Sequence, residues 1–221
     1  MCGRFSRTSS REVLAEEFGV ARFINVDLAP RYNIAPSQTV EAIIRDGAEK
    51  RLGPMRWGFL SSSAKESKLA PINARAETVA TTPLFRDAFR RHRCLVVADG
   101  FYEWQNDGGR KTPHFIHLRS ARPFAFAGIW SLHREAAGTR MATCAIVTCA
   151  PNELMAPLHD RMPVILAAAA RDRWLDSSTA EGELRELLVP FPPDEMEAYE
   201  VSTFVNSPRN DSAECLRRVE T

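Results

Sequence analysis

Residues 94–118 read CLVVADGFYEWQNDGGRKTPHFIHL and contain three short apolar or alternating segments separated by polar residues. Residues 94–98 are apolar throughout and predict a buried strand, while residues 101–105 and 113–118 predict two further strands. The NDGG run at residues 106–109 is typical of a turn between paired strands. Because no helical segment separates these strands, the stretch favours antiparallel pairing.

The same pattern continues on both sides of this stretch. After a strand at residues 39–44, Asp46 and Gly47 indicate a hairpin turn that leads into a partner strand running through Trp57. Further strands are predicted at residues 124–130, 141–148 and 164–166, and an extended tail at residues 196–205. Helices are predicted at residues 9–18, 83–91, 171–175 and 181–188, a short helix or loop at 152–158, and a polar loop at 61–68. In the helix at 83–91, the residues expected to face inward are Leu84, Phe85, Ala88 and Phe89.

Many short strands with few helices between them predict an α+β fold with a mainly antiparallel, barrel-like β core and peripheral helices. Evenly alternating strands and helices are missing, which argues against a doubly wound parallel sheet. The chain has 221 residues, with 44% hydrophobic and 26% charged residues, as is ordinary for one globular domain spanning residues 1–221. The sequence contains neither a membrane-length apolar stretch nor a signal-peptide pattern.

The basic residues are unevenly distributed. Residues 1–120 carry 19 Lys and Arg against 13 Asp and Glu, whereas the remaining residues carry 10 against 15. Arginine contributes 25 of the 29 basic residues, and its planar fork suits phosphate and base contacts. This asymmetry suggests a polyanionic partner for the first half, although GC-rich codon usage explains the arginine excess equally well.

The N-terminal sequence MCGRF places Cys2 directly after the initiator methionine. Removal of Met1 would give Cys2 a free α-amine next to its thiol, and such a 1,2-aminothiol condenses with an aldehyde to form a five-membered thiazolidine. With an ordinary pKa of about 7.7–8.0, the α-amine is partly neutral at pH 7 and can form the initial imine. The alternative is that Cys2 is an incidental small residue. The other cysteines show no C-x-x-C spacing, which indicates neither a disulfide scaffold nor a zinc knuckle.

Four other segments carry side chains suited to a site. Asn73 can donate and accept hydrogen bonds near the Cys2 terminus, and Glu103, flanked by aromatic residues, is a candidate general acid or base. His159, in the segment LHDRMP, titrates near neutral pH. Asn33, in the segment RYNIAP, is a candidate phosphate contact. Each also has a structural alternative, namely a turn, an edge-strand glutamate or a packed histidine.

Taken together, the segments MCGRF, RYNIAP, RWGF, INARAET, ADGFYEW, FAGIW, TCA and LHDRMPVIL resemble, in this order, the motifs of the SRAP (SOS response-associated peptidase) family. This family is also described as abasic-site processing or DNA–protein crosslink proteins. The resemblance runs from residue 2 to about residue 206, and its specificity comes from the number of spaced motifs. It implies a β-rich α+β domain with a basic groove for single-stranded DNA.

The resemblance assigns roles to four catalytic residues. Cys2 matches the family's crosslinking nucleophile, exposed by autocatalytic or aminopeptidase removal of Met1, and Asn73 matches the asparagine that positions it. Glu103 matches the glutamate that shuttles protons in ring opening, crosslinking and pro-peptide removal. His159 matches the histidine that stabilises the opened sugar and assists crosslink reversal. The predicted DNA-binding residues are Arg4, Asn33, Arg75, Trp104, Thr148 and Arg161.

The resemblance also implies the partner and the setting. We expect single-stranded DNA containing abasic sites as the partner, no cofactor and no metal, a monomer, and a cytoplasmic protein that joins the nucleoid when bound to DNA. One departure concerns the residues after Trp57-Gly58, where Phe59 runs into Leu60 and serines. Family members often carry Ile-Pro or Ala-Pro and then a tryptophan after this motif, so an aromatic stacking platform is expected to be missing.

Two other functions use the same residues. A cysteine peptidase or amidohydrolase would use Cys2 as nucleophile with Glu103 and His159. A non-catalytic nucleic-acid-binding module would leave Cys2 dispensable. A metal enzyme is disfavoured because the histidines lack the H-E-x-x-H pattern, and His114 and His117 would point to opposite faces of a strand.

Overall fold

The computed structural model describes residues 2–62, 70–134 and 138–219. Its helices are α1 (Arg11–Phe18), α2 (Arg86–Arg91), α3 (Ala168–Leu175) and α4 (Glu181–Glu186), with 3-10 turns at Pro193–Glu195, Thr203–Asn206 and Ala213–Leu216. The strands are β1 (Phe5–Arg7), β2 (Val20–Phe23), β3 (Arg31–Ile34), β4 (Thr39–Asp46), β5 (Glu49–Trp57), β6 (Asn73–Arg75), β7 (Arg93–Ala98), β8 (Gly100–Asp107), β9 (Arg110–Leu118), β10 (Phe124–Arg134), β11 (Arg140–Cys149), β12 (Met162–Pro163) and β13 (Met196–Glu200).

The strands form two sheets. One has the order β13-β9-β8-β1-β3, and the other has the order β12-β11-β10-β7-β4-β5-β2, with β6 paired to β11. Because β11 pairs with both β10 and β5, strands β11, β10, β7, β4 and β5 close into a ring. Most pairings are antiparallel, which confirms the prediction of an α+β fold with a barrel-like, mainly antiparallel core.

Strand β1 places the N-terminus in the middle of the smaller sheet, because it pairs with β3 on one side and with β8 on the other. The Asp99 carboxylate anchors the end of β1 by accepting hydrogen bonds from the backbone N–H groups of Thr8 and Ser9. Next to Asp99, the packing of Phe115 against the backbone leaves room only for glycine at position 100. A Cβ at Gly100 would lie 2.1 Å from the ring of Phe115.

The core combines aromatic rings with apolar strand residues. Phe5 packs edge-on against Trp57 and Phe126, with ring centroids 5.2 and 5.7 Å apart. The side chains of Cys94, Cys144 and Cys149 are buried free thiols, as expected from their apolar neighbours. Burying these rings and thiols on several strands gives the N-terminal strand a rigid support. No helix in the described ranges is long and apolar enough to cross a membrane.

Several element predictions differ from the structure at their ends. The helix predicted at residues 83–91 begins only at Arg86, and Leu84 is exposed instead of facing inward. The tail predicted as extended over residues 196–205 ends as a strand at Glu200 and turns into a 3-10 helix. Apolar content alone does not mark these boundaries, because short turns pack apolar residues as well. Residues 63–69 of the predicted polar loop lie outside the described residues.

Candidate active site

The first residues of the chain are held against β8 and β6. The backbone N–H of Tyr102 donates to the Arg4 carbonyl at 3.0 Å, which extends the pairing of β1 with β8 toward the N-terminus. The Asn73 amide Nδ2 donates to the Cys2 carbonyl at 3.0 Å. Cys2 has no exposed surface in this chain, which carries Met1. Contacts with two separate segments, β8 and β6, therefore hold the chain around Cys2.

Glu103 lies on β8 next to Cys2 and is almost fully buried, with 3% exposure. Burial raises the pKa of the Glu103 carboxyl to about 7, and the negative charge of Asp160 adds to this effect. At neutral pH this carboxyl group can therefore both donate and accept a proton. Burial raises the pKa of the Cys2 thiol far above its usual range, and the nearby Glu103 charge raises it further.

His159 lies in the segment between β11 and β12. Its Nδ1 atom is 3.0 Å from the backbone N–H of Arg161 and 2.8 Å from Asp160 Oδ1, and these two contacts require opposite protonation of Nδ1. Burial lowers the pKa of His159. We therefore assign the neutral imidazole, with Nδ1 accepting from Arg161 and the proton on Nε2.

Glu103 and His159 border one cavity of about 590 Å³, whose lining residues are Arg4, Glu103, Trp104, Asn106, Lys111, Leu158, His159 and Asn206. Four of the eight are predicted site residues, and they come from three separate segments of the sequence: Arg4, Glu103 with Trp104, and His159. Asn106, Lys111 and Asn206 were not predicted. Asn106 carries only a turn signal in the sequence, Lys111 follows that turn, and Asn206 lies just after the segment expected to be extended.

Arg4 and Trp104 form one wall of the cavity. The Arg4 guanidinium lies 5.6 Å from the centre of the Trp104 ring and donates from Nη1 to Asn33 Oδ1 at 2.8 Å and to the Val205 carbonyl at 2.9 Å. Burial lowers the pKa of Arg4. The Trp104 indole N–H donates to Asn206 Oδ1 at 2.7 Å. Both side chains are thus held in place by contacts within the chain.

Two of the predicted DNA-binding residues need a different interpretation. Asn33 and Thr148 have no exposed surface. The Asn33 amide Nδ2 donates to the carbonyls of Val205, Ser207 and Asn210 at 3.1, 3.0 and 2.7 Å, which ties the C-terminal segment to β3. Asn33 thus has no exposed surface for a phosphate in this structure, and its Oδ1 accepts from the Arg4 guanidinium.

The remaining two arginines differ from each other. Arg75 at the end of β6 is exposed and available to a ligand. Arg161 instead forms a bidentate ion pair with Glu77, at 2.6 and 2.9 Å, and donates to the Thr148 carbonyl at 2.6 Å. Arg161 thereby joins the segment after β6 to the segment that carries His159. Among the described residues, no group of His, Cys, Asp or Glu side chains could hold a metal ion.

Cys2 thus lies near a buried carboxyl group and a histidine-lined cavity on a mainly antiparallel α+β fold. The family described as "SOS response associated peptidase (SRAP)" matches residues 1–208. The chain belongs to this family.

Similar proteins agree with this assignment over nearly the full chain. "Abasic site processing protein YoaM" of Bacillus subtilis is 46% identical, covering 98% of this chain and 97% of its own. "Abasic site processing protein YedK" of Escherichia coli is 32% identical, with 99% and 100% covered. A crystal structure of a protein from Bacteroides thetaiotaomicron superposes with a TM-score of 0.89 at 25% identity, covering 99% of this chain and 100% of that one.

Proposed function

We propose that this protein recognises abasic sites in single-stranded DNA and joins them covalently to Cys2 as a thiazolidine after Met1 has been removed. The observation that carries the proposal is the placement of Cys2. Its carbonyl is held by Asn73, its thiol lies within the electrostatic influence of Glu103, and Glu103 and His159 border the same cavity. The names of the similar proteins from B. subtilis and E. coli point to the same lesion.

The chemistry needs an aldehyde, and an abasic deoxyribose supplies one when its ring opens. Glu103 and His159 carry protons to and from the ring oxygen and the C1′ hydroxyl group during opening. The neutral Cys2 amine then adds to C1′ and the resulting carbinolamine loses water to give an imine. Addition of the Cys2 thiol to the imine carbon, with transfer of its proton to nitrogen, closes the thiazolidine. The net reaction releases one water molecule.

Release of Met1 is the step that creates the reactive amine. In the chain with Met1, the Cys2 nitrogen is part of a peptide bond and cannot form an imine. We include autoproteolytic removal of Met1 in the proposal, with Glu103 moving the proton as water is added across the Met1–Cys2 bond. The reactive form is then produced within the same cavity that receives the DNA.

The proposed partner and setting follow from this chemistry. Exposed Arg75 is placed to contact a phosphate, and Trp104 offers an aromatic surface to a neighbouring base. Single-stranded DNA fits because its bases are already unstacked and reach such a surface at little cost. We propose a monomer that acts in the cytoplasm and associates with the nucleoid when bound to DNA.

The direct test is denaturing gel electrophoresis of protein whose Met1 is shown by mass spectrometry to be absent. The protein is incubated with a single strand carrying one abasic site, with the same strand carrying an intact base, and with a tetrahydrofuran analogue that has no aldehyde. We expect a denaturation-resistant band on the abasic strand alone. No band with any strand would refute the crosslinking function, and cleavage of a peptide panel by the same preparation would favour the peptidase alternative.

The hydrogen bond from Asn73 to Cys2 gives a second prediction. Asn73→Ala removes the donor that orients the Cys2 carbonyl, and we expect crosslinking to slow about fivefold, consistent with the loss of about 1 kcal/mol of positioning. Asn73→Asp should be slowed at least as much, because a carboxylate repels the carbonyl oxygen. Single-turnover kinetics of mature protein measure both rates. Wild-type rates in both variants would show that this hydrogen bond does not position Cys2.

A further inference from the structure

The cavity has a polar outer wall to which neither the resemblance nor the proposed chemistry assigns a role. Asn106 and Lys111 stand opposite each other on β8 and β9. Because side chains alternate between the faces of a strand, Trp104 and Asn106 share one face, and cross-strand pairing places Lys111 on that face too. Asn206 completes the wall from the 3-10 turn that follows β13. We call Asn106, Lys111 and Asn206 the outer wall.

The charges of the cavity make Lys111 the group best suited to an anion. Arg4 and Lys111 are the two cations among the lining residues. The Arg4 guanidinium is already engaged by Asn33 and Val205, whereas the exposed Lys111 has no carboxylate within ion-pair distance among the described residues. An unpaired ammonium at the edge of a cavity is a point charge for a phosphate.

The two asparagines add hydrogen-bond donors on either side of Lys111. Asn206 uses its Oδ1 to accept from the Trp104 indole, and within the described chain no acceptor takes its Nδ2 group. The position of Asn206 is set by its neighbour Val205, whose carbonyl accepts from both Arg4 and Asn33. Asn206 is therefore held by the same support as Arg4, while Asn106 and Lys111 are held by the pairing of β8 with β9.

Resting on the proposed function, we infer that the outer wall binds the backbone phosphate next to the abasic sugar, with Lys111 as its cation and the amides of Asn106 and Asn206 as hydrogen-bond donors. The contact is independent of base sequence, because all three side chains bind phosphate oxygens. It fixes the register of the strand so that the opened sugar faces Glu103 and Cys2. Lys111 does not touch the reacting atoms, so it contributes to binding and to the position of the strand.

The test measures binding apart from crosslinking. Fluorescence anisotropy with a labelled single strand carrying the tetrahydrofuran analogue reports affinity without covalent capture. We expect Lys111→Ala to weaken binding about fivefold and to lower the slope of log affinity against log salt by about 0.7. Lys111→Arg should retain binding, Lys111→Glu should lose more, and Asn106→Ala and Asn206→Ala should each cost about twofold.

Arg110→Ala is the matched control, because Arg110 precedes Lys111 on β9 and its side chain lies on the opposite face of the sheet. At subsaturating abasic DNA, crosslinking by Lys111→Ala should slow along with its loss of affinity, whereas Arg110→Ala should crosslink at the wild-type rate. Equal losses in Lys111→Ala and Arg110→Ala, or unchanged affinity in Lys111→Ala and Lys111→Glu, would overturn the inference. Absence of the covalent band in the wild type would instead count against the proposed function, and the anisotropy result would still decide the role of the outer wall.

Discussion

Cys2→Ala is expected to abolish the denaturation-resistant complex with abasic DNA while leaving affinity for the tetrahydrofuran strand unchanged. Alanine keeps the α-amine, so the imine still forms, but no thiol can close the ring and the imine hydrolyses during denaturation. The Cys2 side chain is small and buried, and the loss of its sulfur leaves the Asn73 hydrogen bond to the Cys2 carbonyl in place. Denaturing gels measure covalent capture and fluorescence anisotropy measures affinity, so the two experiments separate capture from binding.

Chemical trapping sharpens this prediction. Addition of cyanoborohydride, which reduces the imine to a stable secondary amine, should restore a covalent band in mature Cys2→Ala. In a chain that retains Met1, the same reductant should give no band through residue 2, because that nitrogen is acylated. A stable Cys2→Ala complex without reductant would contradict the thiazolidine and point to another nucleophile.

Glu103→Gln is expected to slow crosslinking by about 100-fold to 10,000-fold, the range typical of losing a general acid–base group. Glutamine retains the size of the side chain but cannot exchange a proton. The variant must be released with Cys2 at its N-terminus by a site-specific protease, because removal of Met1 is proposed to need Glu103 as well. Single-turnover rates between pH 5.5 and 8.5 then compare it with the wild type.

The two pH profiles should differ in shape. Burial raises the pKa of Glu103, so the rate of the mature wild type should show the ionisation of this carboxyl group in addition to that of the Cys2 amine. In Glu103→Gln, the rate should rise with pH only because the Cys2 amine loses its proton. Identical profiles for the two proteins would exclude Glu103 as the titrating group.

The same substitution is expected to increase stability above neutral pH. The Glu103 carboxyl has an ordinary pKa of 4.5 in the unfolded chain and about 7 in the native state, so the native state binds more protons between these values. Stability contributed by this group is therefore lost as pH rises from about 4.5 to 7. Glu103→Gln should recover up to about 3 kcal/mol at pH 8 and much less at pH 4.5.

Denaturant unfolding of the wild type and Glu103→Gln at both pH values measures this difference. Glu49→Gln, an exposed glutamate on β5, is the control and should change the free energy of unfolding little at either pH. A destabilised Glu103→Gln at pH 8 would show that the carboxylate is stabilised in the fold and is not strained by burial. At this position, we therefore expect one substitution to increase stability and to decrease the crosslinking rate.

Local patterns in the chain were enough to predict most strands and the main chemical groups. The buried strand at residues 94–98 and the turn at residues 106–109 are determined by residues that are close in the sequence. Such local features can be predicted without knowing the tertiary structure. The chemistry open to Cys2 depends on its position after Met1. The acid–base character of Glu103 was also predicted from its aromatic neighbours, although the size of the pKa change was not.

The surroundings of the predicted site residues were decided by contacts between residues that are distant in the sequence. Asn33 and Thr148 have polar side chains that suggested DNA contact, but the C-terminal segment covers Asn33 and the pairing of β11 with β6 and β12 covers Thr148. Arg161 pairs with Glu77, 84 residues away. The outer wall joins a hairpin to a segment almost 100 residues later. Burial, ion pairing and the lining of a cavity depend on which strands become neighbours, and that is settled only when the whole chain packs.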